Sequence, residues 1–402
     1  MHSTVSMLVG LLVVLAAAKT AGELFERMKQ PAVIGELLVG MLIGPYALGL
    51  VQQTPSLEVM ATIGVVILMF AVGLETKSRE IFHVGRTAFI VGAVGVVVPL
   101  AAGLGFGRAM GYPTPEALFI GTALVATSVG ITARVLADRG LISTRIAKIV
   151  LAAAVIDDVL GMLVLSVVTG SAGGDLNPAR IALTMVEAVG FIAIVVLVGP
   201  RLVAKLEKPL EGLHIKNAPF VAALGSMFAF AALAETIGLA AIVGAFFAGM
   251  AFAECPERWG LATKTESLYE WLVPYFFVMM GAAVNVKLFA SPAVLVPGLV
   301  LVAIAVVTKI VGCGLGIINE GPRTALAVGV GMVPRGEVGL IVAAVGQRMG
   351  IITPTVYAMI ILVIVVSTLV VPPVLPGLFE WARSRSASPS LASEHAAVGE
   401  TA

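Results

Sequence analysis

Apolar runs of roughly 18 or more residues recur along almost the whole of this chain, beginning with Met7 to about Phe25. Each is long enough to cross the ~30 Å hydrocarbon core of a bilayer as a helix. Composition agrees: 59% of the 402 residues are hydrophobic and 12% are charged, about half the charged share of a soluble domain, which is ~25%. The chain therefore reads as an all-α polytopic membrane protein. Its net charge of +1 suggests no nucleic-acid partner. The first run lacks a basic leader and a small-residue cleavage site, so it reads as a retained helix. Cys255 and Cys313 offer neither a disulfide framework nor metal-ligand spacing, and read as small apolar side chains.

Thirteen helices are expected, at about 5–25, 31–50, 57–75, 84–110, 115–138, 145–170, 178–206, 218–236, 238–254, 265–284, 291–318, 322–347 and 354–382. Residues 383–402 are polar and low in complexity, and read as a disordered tail. Within these 402 residues no soluble regulatory domain is expected. Eighteen Lys and Arg residues fall on the side of the loops after odd-numbered helices, against four on the other. The positive-inside rule then places the N-terminus outside and the C-terminus in the cytoplasm.

The chain also repeats itself. IGELLVGM (34–41) resembles VGAFFAGM (243–250) at an offset of 209, and LMFAVG (68–73) resembles FFVMMG (276–281) at 208. Seven helices separate the partners, an odd number, so the two copies lie inverted in the membrane, as in secondary transporters. The repeat pairs the fifth helix with the twelfth. The fifth carries Thr127, Ser128, Gly130 and Thr132 at mid-span; the twelfth carries Pro334, Arg335, Gly336 and Glu337. Proline removes a backbone donor and glycine tolerates non-helical angles. Both segments are expected to unwind at membrane depth, where half-helix ends offer partial charges to ions.

The sixth helix carries the costliest feature. In AAAVIDDVLGMLVL (152–165), Asp157 and Asp158 follow each other in an apolar run. Asp157 lies twelve residues, roughly 18 Å, beyond the helix start at 145. Each charge at that depth costs about 2.5–3.5 kcal/mol. Neighbours on a helix point ~100° apart, so the two carboxylates face different partners. Lys309, on the eleventh helix and ~14 Å deep, needs an anion as much as an aspartate needs a cation.

PAVIGELLVGMLIGP, MFAVGLETK, GTALVATSVGITARVL, AAAVIDDVLG, TKIVG and GMVPRGEVGLIVAA resemble the sodium/proton antiporters of the cation:proton antiporter superfamily, most closely the bacterial NapA type with its Asp-Asp pair. The resemblance implies thirteen helices, inverted repeats with two broken crossing helices, and a homodimer in the inner membrane. It implies a dimerisation domain (1–82 and 218–288), a moving core (83–172 and 289–382) and a linker helix (173–217). It assigns Asp158 as the shared site for the cation and protons, Asp157 with Lys309 as a buried ion pair, and Thr127 and Ser128 as neighbours of the site. Arg335 and Glu337 are expected to hold the broken twelfth helix by local pairing. Glu36 and Glu75, near cytoplasmic helix ends, are expected in solvated or structural roles, and Glu187 and Glu235 have no assigned role.

The function expected is electrogenic, elevator-type exchange of cytoplasmic Na⁺ or Li⁺ for protons, with no cofactor and no enzymatic activity. A K⁺/H⁺ antiporter is the nearest alternative. An ion channel would also suit broken helices. An intramembrane aspartyl protease needs two carboxylates face to face sharing a proton, which adjacency on one helix opposes.

Overall fold

A computed structural model describes residues 2–173, 178–256 and 259–383. The expected disorder of 383–402 falls, beyond Arg383, outside them. Fifteen α-helices form: α1 (His2–Arg27), α2 (Ala32–Ile43), α3 (Pro55–Leu74), α4 (Ser78–Ala109), α5 (Thr114–Val125), α6 (Val129–Asp138), α7 (Arg145–Gly173) and α8 (Pro178–Glu211). They continue with α9 (Ala218–Thr236), α10 (Ala241–Phe252), α11 (Leu261–Ala282), α12 (Pro292–Leu315), α13 (Pro322–Gly331), α14 (Glu337–Arg348) and α15 (Pro354–Arg383). α5 with α6, and α13 with α14, are two interrupted spans, so the thirteen expected segments are present with both expected breaks.

Two segments are shorter than expected. The second, expected over 31–50, ends at Ile43, because Pro45 pushes the preceding Gly44 out of the helical region to φ −66°, ψ 173°. The ninth, expected from 238, begins at Ala241: Gly238 at φ +81° closes α9 in the left-handed region that glycine tolerates. The shortened α2 and α10 are repeat partners of twelve residues each.

The packing extends the repeat well beyond its sequence signal. A Cβ on Gly40 would collide with the Val278 carbonyl, and one on Gly249 with that of Phe70. Gly281 backs onto Leu37 in the same way, and Gly73 onto Phe246. Gly35 abuts Ala21 of α1 and Gly244 abuts Phe230 of α9; Gly121 abuts Leu100 of α4 and Gly329 abuts Ile310 of α12. Every residue in these contacts maps onto its counterpart at an offset of 208 to 210. The inverted units are thus α1–α7 and α9–α15, with α8 between them. Only glycine lets the backbones come this close.

α1, α2, α3, α9, α10 and α11 pack on one another, with α3 against α11. α4, α5, α7, α12, α13, α14 and α15 form a second set around α4 and α12. α6 leans from the second set onto α2 and α3.

Candidate ion-binding site at the broken helices

The two breaks face each other and complete each other's hydrogen bonds. Ala126 and Ser128 leave the helical region at ψ 134° and ψ 101°, where serine and threonine hydroxyls compete with the helix for backbone groups. The backbone N–H of Ser128 donates to the Pro334 carbonyl at 2.7 Å. Thr127 Oγ1 donates to the Met332 carbonyl at 3.3 Å and Thr132 Oγ1 to that of Gly331 at 2.8 Å. Gly336 is required by close approach: a Cβ there would sit 2.5 Å from Ser128 Oγ.

Helix C-termini leave carbonyls without partners and carry partial negative charge. Here two buried cations meet them. Arg335, 0% exposed, donates through Nη2 to the Leu124 carbonyl at 2.8 Å and through Nη1 to the Met332 carbonyl at 3.2 Å and to that of Val333. Thr368 Oγ1 donates to the Arg335 carbonyl. Arg335 therefore binds the ends of both α5 and α13, a wider role than local pairing. The Glu337 side chain lies outside the described residues.

Lys309 Nζ donates to Asp157 Oδ1 at 2.7 Å, to the Val125 carbonyl at 2.8 Å and to the Gly95 carbonyl at 3.0 Å. Neither Lys309 nor Asp157 has side-chain surface in contact with solvent. All three ammonium protons are used. Asp158, 4% exposed, turns to the other side of α7, where it lines a small cavity with Met69, Val129, Val155 and Phe246. Val129 begins α6, so the N-terminal, partly positive end of that half-helix borders the same cavity as Asp158. Among the described residues, Asp157 Oδ2 and Ser128 Oγ are buried oxygens without a hydrogen-bond partner. Buried polar atoms are rarely left so, and oxygen is the ligand that a hard cation takes.

A larger cavity of about 560 Å³ opens on the side where α1, α3 and α6 end, and Ala71, Val72, Glu75, Arg134, Asp138 and Tyr269 are among its walls. Met69 walls the small cavity beside Asp158, and Ala71 and Val72 follow it on α3. Glu75 is exposed, as expected. Glu36 takes the structural one of its two expected roles: it is 3% exposed, with Arg134 and Asp138 of α6 as charged neighbours. Arg134, which the sequence places among the loop-side basic residues, is 8% exposed and buried. The lone glutamate within the apolar stretch 32–43 was the signal available for this cluster.

The model of the family described as "Sodium/hydrogen exchanger, transmembrane" matches residues 10–381. The chain is 34% identical to "High-affinity Na(+)/H(+) antiporter NhaS3" of Synechocystis, over 95% of this chain and 91% of that one. It is also 34% identical to "Na(+)/H(+)-K(+) antiporter GerN" of Bacillus cereus, over 91% and 94%. The solved structure of the sodium proton antiporter MjNhaP1 from Methanocaldococcus jannaschii has the same fold, with a TM-score of 0.68 at 19% identity over 95% of this chain and 98% of that one. A match to nearly the whole chain, with relatives above 30% identity along its length, leads to one conclusion: this protein belongs to the sodium/hydrogen exchanger family.

Proposed function

We propose that this protein is a secondary active antiporter that moves Na⁺ or Li⁺ out of the cytoplasm in exchange for protons, with Asp158 as the shared site. The observation that carries the reading is the division of labour on α7. Asp157 is neutralised by Lys309 at 2.7 Å, while Asp158 faces a separate cavity bordered by the start of α6. A carboxylate there binds a proton or a cation but not both, and that competition couples the two fluxes. Ser128 Oγ, Asp157 Oδ2 and backbone oxygens of the unwound stretch near Thr127 are the candidate further ligands.

Transport requires the site to open alternately to the two sides. The set containing α4–α7 and α12–α15 acts as the moving core, and the set containing α1–α3 and α9–α11 as the dimerisation domain, with α8 as the linker. The basic side, where the 560 Å³ cavity opens, is the cytoplasm, and the N-terminus lies outside. Exchange is electrogenic: Na⁺ at Asp158 frees Asp157 from Lys309, the desolvated lysine releases its proton, and two protons return per Na⁺.

The name of GerN joins K⁺ to Na⁺ and H⁺, which favours K⁺/H⁺ exchange as the second reading. An aspartyl protease is disfavoured because Asp157 pairs with a lysine and not with a second carboxylate. Liposomes containing only this protein decide among these readings. Saturable, proton-coupled uptake driven by a Na⁺ gradient is expected. A response to K⁺ alone supports the second reading, and cation flux without proton coupling overturns antiport.

A further inference from the structure

In the wall of the large cavity, Arg134, Asp138 and Tyr269 form a cluster to which the exchange chemistry assigns no role. Arg134 is on α6, five residues or about 7.5 Å along the helix from Val129. Its Nε lies 2.8 Å from Asp138 Oδ2 of the same helix. Its guanidinium carbon sits 4.5 Å above the ring of Tyr269 on α11, and the Tyr269 hydroxyl donates to Asp138 Oδ1 at 3.2 Å. Glu36 on α2 completes the surroundings, interacting electrostatically with Arg134 and Asp138. Its Oε2 has no hydrogen-bond partner among the described residues.

These partners differ in what they ride on. Asp138 travels with Arg134 wherever α6 goes. Glu36 and Tyr269 do not, because α2 and α11 are locked together where Gly281 backs onto Leu37 and Gly40 onto Val278. Sliding α6 past that pair strips the guanidinium of the tyrosine face and of the second carboxylate at once. A buried guanidinium deprived of partners is costly, so the arrangement seen here, with the large cavity open, is favoured.

The inverted repeat supplies the control. At the repeat offsets, Arg134 corresponds to Val342 at 208 and to Ala344 at 210, Glu36 to Ala245 and Tyr269 to Ala61. None is charged and none is aromatic. The counterpart positions thus lack this cluster, and the inverted scaffold is not symmetric at it.

We propose that Arg134 is a positioning residue: with Glu36 and Tyr269 it latches α6 to the α2–α11 pair and biases the protein toward the state whose cavity opens on the basic side. The proposal rests on the antiport reading and on motion of α6 relative to α2 and α11.

The test uses the full-length protein with Cys255→Ser and Ala71→Cys, which puts a thiol in the cavity wall. Labelling by a membrane-impermeant thiol reagent then reports the open state. Tyr269→Phe removes the hydroxyl and keeps the ring; Glu36→Gln removes the buried carboxyl group. Each is expected to slow labelling about threefold and to raise the apparent KM for Na⁺ on that side by the same factor, since apparent affinity scales with the competent fraction. Arg134→Lys keeps the charge but not the planar stacking, and falls between the parent and Arg134→Gln. Unchanged labelling in folded Tyr269→Phe and Glu36→Gln overturns the latch. Should Glu36→Gln fail to fold, Tyr269→Phe decides alone. Absence of proton-coupled flux in the parent instead defeats the antiport reading, while the labelling result stands.

Discussion

The two inverted units share a backbone plan and divide the charges between them. α1–α7 supplies the acids: Asp157 and Asp158 on α7, with the hydroxyls of Thr127 and Ser128 at its break. α9–α15 supplies the bases: Lys309 on α12 and Arg335 at its break. At the offset of 210, Asp158 corresponds to Thr368 on α15, whose hydroxyl donates to a backbone carbonyl. The scaffold is symmetric because glycine contacts must recur for the backbones to pack. The site is not, because opposite charges from different units neutralise each other across the junction. On the proposed antiport reading, symmetry supplies two related conformations and asymmetry a single ion site.

The contrast is broken most severely at Asp158. Asp158→Asn keeps size and hydrogen bonding but removes the charge and the exchangeable proton. Complete loss of exchange with retained folding is expected, and thermal stability equal to or above wild type. Na⁺-coupled proton flux from the purified variant above an empty-liposome control would remove Asp158 from the site.

Lys309→Gln strikes the bond between the units and leaves Asp157 buried without its cation. A loss of about 3–5 kcal/mol of stability is expected, read as a lowered Tm. The current from proteoliposomes on a solid support under a Na⁺ gradient tests the lysine's proton. It should vanish in folded Lys309→Gln while electroneutral exchange persists, and a full-sized current would leave Lys309 a structural role only.

The symmetric part of the comparison is sharpened by a matched pair. Gly40→Ala and Gly249→Ala push a methyl into repeat-related carbonyls. Each should cost about 1–3 kcal/mol, the usual penalty for overpacking, and the two melting shifts should agree. A penalty at one position only would show that the packing symmetry is superficial.

The smallest effect is expected at the break. Ser128 Oγ has no hydrogen-bond partner among the described residues, whereas Thr127 gives up one hydrogen bond worth about 1 kcal/mol. Thr127→Val with Ser128→Val should therefore change stability little and raise the half-saturating Na⁺ concentration. An unchanged value would make the break architectural.

Much of the fold was legible because it is written in local terms. Apolar runs announce spans, Pro334 and its flanking glycines announce a break, and a carboxylate pair in an apolar helix announces its own cost. Asp157, Asp158 and Lys309 were visible for that reason: burial at mid-membrane is expensive whatever the neighbours are. The early end of α2 was less visible, although Pro45 marked it. In sequence Arg335 looks like a local brace, since nothing there shows a guanidinium reaching the end of α5.

What the chain by itself determined is the list of debts: which spans cross, where the backbone opens, and which charges must find partners inside. Only the tertiary structure decided who meets them. Arg134, Glu36 and Tyr269 come from α6, α2 and α11, separated by about a hundred residues or more in sequence, and a helix presents its side chains on all sides without naming its neighbours. Pairing is chosen by packing, where glycines let particular backbones touch and so fix which faces of the remaining helices confront each other.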